Sequence, residues 1–167
     1  PKRASTATAY DDKNNRLILF GGAVEPTLNQ FVNDVWVLSN ADGASGTPQW
    51  TQLNIAGDAP IPRILHSPNQ TNYYSVTNRL ILFGGEVKGG PGFIELNDVW
   101  VLTNANGLGG VPAWTQLTPS GTPPQLTTHA DPFVTYDPGT NRLIVFFPTG
   151  AQGQNSSEVW VLTNANG

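Results

Sequence analysis

The eight residues from Asn15 to Gly22, NRLILFGG, recur letter for letter from Asn78 to Gly85, 63 positions on, and a third copy, NRLIVFFP, begins at Asn141 after another 63. Self-similarity at a fixed period dictates architecture. Each repeat is one supersecondary unit that cannot bury its apolar face alone and must stack on its neighbours.

Superposing the copies gives four segments per unit. The first ends in Tyr10, Tyr73 or Tyr136, and a polar turn leads from it to the second, the apolar run LILF or LIVF. The third is NDVWVL at Asn33 and Asn97, with SEVWVL at Ser157, and the fourth is WTQL at Trp50 and Trp114. Each is short, β-branched or aromatic, and bounded by Gly, Pro, Asn or Asp, which predicts a strand. A run apolar on both faces, as LILF is, belongs to a sheet covered on both sides. Four short antiparallel strands per unit, stacked face to face, describe the blades of a β-propeller, so the chain is expected to be all-β.

The units fall at about 1–53, 63–117 and 127–167, and the last has no WTQL segment. Three blades do not close a ring whose members number roughly four to eight. The chain is therefore expected to be part of a larger propeller, or to assemble with copies of itself. The double glycines Gly21–Gly22 and Gly84–Gly85 predict positive φ or close backbone approach where the second strand ends. In the third copy Phe147 and Pro148 replace them, so that strand leaves its sheet differently.

The units NRLILFGG, NDVWVL and PxWTQL make the chain resemble kelch-repeat propellers over essentially its whole length, and more narrowly their bacterial, galactose-oxidase-like branch. Arg3 and Arg63 look like the arginine that opens a kelch innermost strand, with Gln125 in the third copy. The resemblance implies a non-enzymatic binding or scaffold module with a protein or glycan ligand. Two alternatives stay open: part of a carbohydrate-active enzyme whose active site lies in other blades, and a structural unit that self-associates to complete a propeller. Galactose-oxidase chemistry needs a tyrosine crosslinked to cysteine beside copper, and this sequence has no cysteine.

Charge narrows the partners. Only 12% of residues are charged, about half the usual share, and eight basic residues against twelve acidic ones leave a net charge of −4. With no basic cluster, neither nucleic acid nor an anionic membrane finds a surface to neutralise, and no apolar run reaches the about 18 residues of a membrane span. A surface poor in lysine, rich in Asn, Thr and Gly and free of Cys and Met suits an exported, extracellular or periplasmic protein. The Asn- and Gly-rich segments after the third strands are turn formers and lack the ligand alternation of a calcium loop. No cofactor or metal is expected.

The five tryptophans, the three repeat tyrosines and Phe20, Phe83 and Phe146 all occupy repeat positions and are assigned to packing. Antiparallel order brings the loops after the second strands and those between units to one rim: 23–32, 86–96, 54–62 and 118–124. Loops carry function more often than scaffolds do, and the residues there with usable chemistry are Glu25, Phe31, Glu86, Lys88 and Phe93. No catalytic residue is assigned. His66 and His129 occupy equivalent positions and are expected to hydrogen-bond a neighbouring backbone group or carboxylate, while Asn69 and Asn155 begin glycosylation sequons. Recurrence of Asp34, Asp98 and Glu158 at the head of the third strand predicts bonding between strands or blades, since catalysis needs one copy of a group and not three.

Overall fold

The computed structural model describes residues 2–26, 28–67, 70–127, 131–152 and 156–167. Among these every regular element is a strand, and the strands form three antiparallel sheets in sequence order. The first contains β1 (Arg3–Ala4), β2 (Ala7–Asp11), β3 (Arg16–Val24), β4 (Gln30–Ser39) and β5 (Gln49–Gln52). Both β1 and β2 pair with β3, so they are one inner strand interrupted at Ser5, where φ is 53°. The second contains β6 (Thr71–Tyr74), β7 (Arg79–Gly89), β8 (Gly92–Thr103) and β9 (Ala113–Leu117). The third contains β10 (Phe133–Asp137), β11 (Arg142–Phe147) and β12 (Glu158–Thr163), with no fourth strand among the described residues.

The asparagine that opens each NRL motif makes the inner hairpin. Asn15, Asn78 and Asn141 all lie at φ 52°, the left-handed region that asparagine tolerates better than most residues. The repeat tyrosine donates its hydroxyl proton to that asparagine's Oδ1 at 3.0, 3.2 and 3.1 Å in the three copies. The same oxygen accepts the backbone N–H of Asp42, Asn106 or Asn166, fixing the loop that follows the third strand.

Stacking fills two cores. In one, Ile18, Phe20, Val35 and Val37 of the first sheet pack with Leu65, from the segment ahead of β6, and with Leu80, Leu82, Trp100, Leu102 and Trp114 of the second sheet. In the other, Ile81, Phe83, Val99 and Val101 on the opposite face of the second sheet pack on Val134, Leu143, Val145 and Phe147 of the third. The middle sheet is thus covered on both sides, as its LILF run requires, and the outer sheets on one. Equivalent letters consequently meet different surroundings: Phe20 is 0% exposed, Phe83 4% and Phe146 37%. The assignment of every repeat aromatic to packing is corrected at the two ends. Tyr10 and Trp50 on the first sheet and Phe146 on the third are exposed, because no sheet lies over them.

The recurring carboxylates bond within their sheets. Arg3 grips Asp34 through two hydrogen bonds of 2.6 and 3.0 Å and donates to the Gly21 carbonyl, and Arg63 repeats this with Asp98 and Gly84. Trp36, Trp100 and Trp160 each donate their indole N–H to the carboxylate two residues back. Glu158 therefore keeps its tryptophan in the copy where Gln125 stands in place of arginine.

Candidate functional site

The double glycines do not end their strands. The ladder slips between Phe20 and Gly22 and between Phe83 and Gly85, then resumes, so β3 and β7 continue to Val24 and Gly89. At Gly84, φ is 59° and an added Cβ would sit 2.4 Å from the Leu96 carbonyl oxygen, so glycine is required for the bulge. At the first bulge, backbone from the next unit bonds in: Gly22 N–H donates to the Arg63 carbonyl at 2.9 Å, and close by Leu65 N–H donates to the Ser5 carbonyl at 2.9 Å. The stretches 23–32 and 86–96, expected as loops, are mostly hairpin arms projecting from two adjacent sheets.

Those arms bring Phe31, Lys88 and Phe93 together. Phe31 in β4 stacks on Phe93 in β8 with centroids 6.2 Å apart and planes at 8°. Lys88 in β7 places its ammonium 5.2 Å from the Phe31 centroid and donates to the Asn29 carbonyl. Phe93 is nevertheless 40% exposed and its neighbour Ile94 54%. The result is an aromatic ledge with one cation, worth about 0.5–1 kcal/mol as an exposed cation–π contact, and it presents apolar surface of the kind that marks interaction sites.

Glu25 and Glu86 do not join it. Glu25 sits on the turn of the first hairpin, exposed. Glu86 is a strand residue of β7, buried, with its Oε2 2.6 Å from His66 Nε2. The chain ahead of β6 presses against it in an isolated antiparallel bridge, since Ile64 and Glu86 exchange backbone hydrogen bonds of 3.0 and 2.9 Å. His66 thus has the carboxylate partner expected of it, whereas His129, Asn69 and Asn155 lie outside the described residues. Among the described residues no three His, Asp or Glu side chains gather as a metal-binding group, and no helix is long and apolar enough to cross a membrane.

A polar seam on the other rim escaped the sequence reading. Asn106, in the loop after β8, donates to the buried Asp11 carboxylate of the first sheet at 2.7 Å, and its carbonyl accepts from Arg16 at 3.1 Å. Burial pushes the Asp11 carboxyl up, but hydrogen bonds led by those from Asn106 and Asn14 outweigh it and hold the group below its ordinary value. The Tyr73 hydroxyl is raised, by burial and then by the negative charge of Asp11. The Asx-type turns expected here are present: the Asp42 carboxylate accepts Ala44 N–H, and Asn106 Oδ1 accepts Leu108 N–H, both at 2.9 Å. The repeated NAxG letters that signalled a turn also carried the join between sheets.

Comparison with known proteins agrees with this architecture. The chain is 30% identical over 107 residues to host cell factor 1 of Homo sapiens, and equally to that of Rattus norvegicus, a stretch covering 62% of this chain and 4% of theirs. It is 34% identical over 90 residues to dynein regulatory complex subunit 7 of Chlamydomonas reinhardtii, covering 54% of this chain and 7% of that protein. The profile of the KLHDC2/KLHL20/DRC7 Kelch-repeats domain matches residues 1–166. Stacked four-stranded sheets, arginine–aspartate clasps and a domain profile spanning nearly the whole sequence converge, and the chain belongs to the kelch-repeat family, as part of a β-propeller.

Proposed function

We propose that the chain binds a protein ligand on the rim formed by the β3–β4 and β7–β8 hairpins, with Phe31, Lys88 and Phe93 as the contact residues. Kelch repeats are protein-interaction modules, and the observation that carries this reading is the stack of half-buried Phe31 on exposed Phe93, with Lys88 over the Phe31 ring. A protein segment offering an apolar side chain and a carboxylate or carbonyl suits that ledge. A glycan is less well served, because each ring already turns one face to the other. Selection of phage-displayed peptides on the folded chain tests the reading. Enriched peptides are expected to bind a Phe31→Ala/Phe93→Ala variant roughly tenfold or more weakly, the size of a hot-spot loss; enrichment indifferent to that variant would refute it.

A second reading, self-association that completes a ring, is favoured by the end faces. Val35 and Val99 are buried, yet the equivalent Val159 is 62% exposed. The first sheet's open face offers Leu17, Leu19, Trp36 and Leu38, the counterparts of Leu80, Leu82, Trp100 and Leu102, which cover Val35. A head-to-tail contact of this kind closes only if its rotation closes; a native mass equal to one chain would rule it out. The composition supports a place outside the cytoplasm, and the motif letters support the bacterial, galactose-oxidase-like branch. Fractionation of the source cells tests the location.

A further inference from the structure

The polar seam between the first and second sheets turns on one dipeptide, Asn106–Gly107, and the fold fixes both residues. At Gly107, φ is 76° and an added Cβ would sit 2.9 Å from Leu53 Cδ2 of the first unit, so any larger residue is strained there. Asn106 is buried and held at both ends of its amide. Its Nδ2 donates to Asp11 Oδ2 at 2.7 Å, while its Oδ1 accepts Asn78 Nδ2 at 2.7 Å and Leu108 N–H at 2.9 Å. The equivalent pair in the first unit is Asp42–Gly43. There the exposed Asp42 makes the same turn, its Oδ1 accepting Asn15 Nδ2 at 2.7 Å and Ala44 N–H at 2.9 Å. A carboxylate thus satisfies the loop. What it does not supply is the donor that Asp11 accepts across the seam.

We propose that Asn106 is a deamidation site gated by the docking of these two sheets: protected while the seam is made, reactive when it parts, and altered irreversibly once it has reacted. Asparagine followed by glycine is the chemically labile order, because no side chain shields the glycine nitrogen. That nitrogen, on losing its proton to base, attacks Asn106 Cγ. A C–N bond forms, and the side-chain nitrogen takes up a proton and leaves as ammonia. Water then opens the cyclic imide at one carbonyl or the other, leaving aspartate or isoaspartate. In the docked state both reacting groups are tied to other partners, since Gly107 N–H donates to the Asn104 carbonyl at 2.9 Å and the Asn106 amide is held by Asp11 and Asn78. The product cannot restore the seam. A carboxylate then stands where a donor lay 2.7 Å from buried Asp11, and two like charges so placed oppose each other's ionisation. Isoaspartate in addition lengthens the backbone of the turn. The chemistry uses no residue of the Phe31–Phe93 ledge, and either site can fail without the other.

The test incubates the full 167-residue chain in mildly alkaline buffer, with and without concentrated urea. Proteolysis and mass spectrometry read the conversion of amide to acid at Asn106 separately from that at Asn166, the other Asn–Gly pair of the sequence. Conversion at Asn106 is expected to run roughly tenfold or more slowly in the folded chain, because only molecules with the seam open react. Asp11→Ala, which removes the acceptor of the Asn106 amide, is expected to raise the folded-state rate several-fold. Asp12→Ala, on the exposed turn, is expected to leave it unchanged. The wild-type product is separable by its extra negative charge. At neutral pH it is expected to unfold at a lower urea midpoint than the unmodified chain, and to regain part of the difference as pH falls and one carboxyl of the pair protonates. Equal rates with and without urea, or no conversion at Asn106 in either, overturn the proposal. So does an unmoved rate in a folded Asp11→Ala chain, or a product as stable as the unmodified chain; if Asp11→Ala does not fold, the two wild-type comparisons decide.

Discussion

Phe20→Ala and Phe146→Ala remove the same ring from the same position of two repeats, and the fold predicts that they differ several-fold in cost. Phe20 is 0% exposed, set between its own sheet and Trp114 at 5.2 Å, so its loss leaves a cavity that two packed sheets cannot close. Deletions of this kind cost about 3–5 kcal/mol, which in a domain of this size lowers Tm by roughly 6–20 °C. Phe146 is 37% exposed and touches Phe133 of its own sheet at 6.4 Å, with no sheet over it. Without a facing surface the cavity contribution vanishes and only part of the transfer free energy remains, about 1 kcal/mol. Urea unfolding of both variants, followed by tryptophan fluorescence and with the single-chain mass verified by light scattering, gives the two losses directly. Equal losses in the single chain would refute the reasoning, since they would mean that the outer face of the third sheet is covered.

Other outcomes follow from particular contacts. Gly84→Ala forces a side chain into left-handed backbone 2.4 Å from a carbonyl oxygen and is expected to cost roughly 1–3 kcal/mol and more than Gly90→Ala, at φ 55° with nothing within 4 Å; thermal melts rank the pair. Asn106→Ala leaves the buried Asp11 without its partner across the sheets and is expected to lose about 1–3 kcal/mol, read as a lower urea midpoint. Burial raises the Asp34 carboxyl, but hydrogen bonds from Arg3 and Trp36 and the charge of Arg3 bring it below the ordinary 3.8. Its folded value being the lower one, its contribution is complete above about pH 3.8 and disappears as pH falls through the folded value. Asp34→Asn should therefore lower stability at neutral pH and flatten its acid limb, measured as urea midpoints from pH 2 to 7.

The strands and the order in which they pair into antiparallel sheets were legible because a repeat states each element more than once. The arginine and carboxylate positions were legible as structural for the same reason, and the structure joins them as clasps. Strand ends were harder. A pair of glycines reads as a stop, yet at Gly21–Gly22 and Gly84–Gly85 it makes a bulge after which pairing resumes, and the backbone of Arg63 and Ile64 bonds to Gly22 and Glu86 beside the two bulges. Glu86 read as a rim residue for that reason and is a buried partner of His66 instead. The exposure of Tyr10, Trp50 and Phe146 was not legible from their letters, because burial in a stacked fold is a property of the neighbour. Phe31, Lys88 and Phe93 were chosen as candidate contacts separately. What brings them together is that hairpin arms of adjacent sheets project side by side.

The central claim, a protein ligand seated on that ledge, is tested most directly by the affinity of a selected peptide for the wild-type chain and for the Phe31→Ala/Phe93→Ala variant under identical conditions. A drop of roughly tenfold or more with an unchanged urea midpoint is the predicted result. Undiminished affinity in a variant that is still folded would contradict it and place the ligand elsewhere on the propeller.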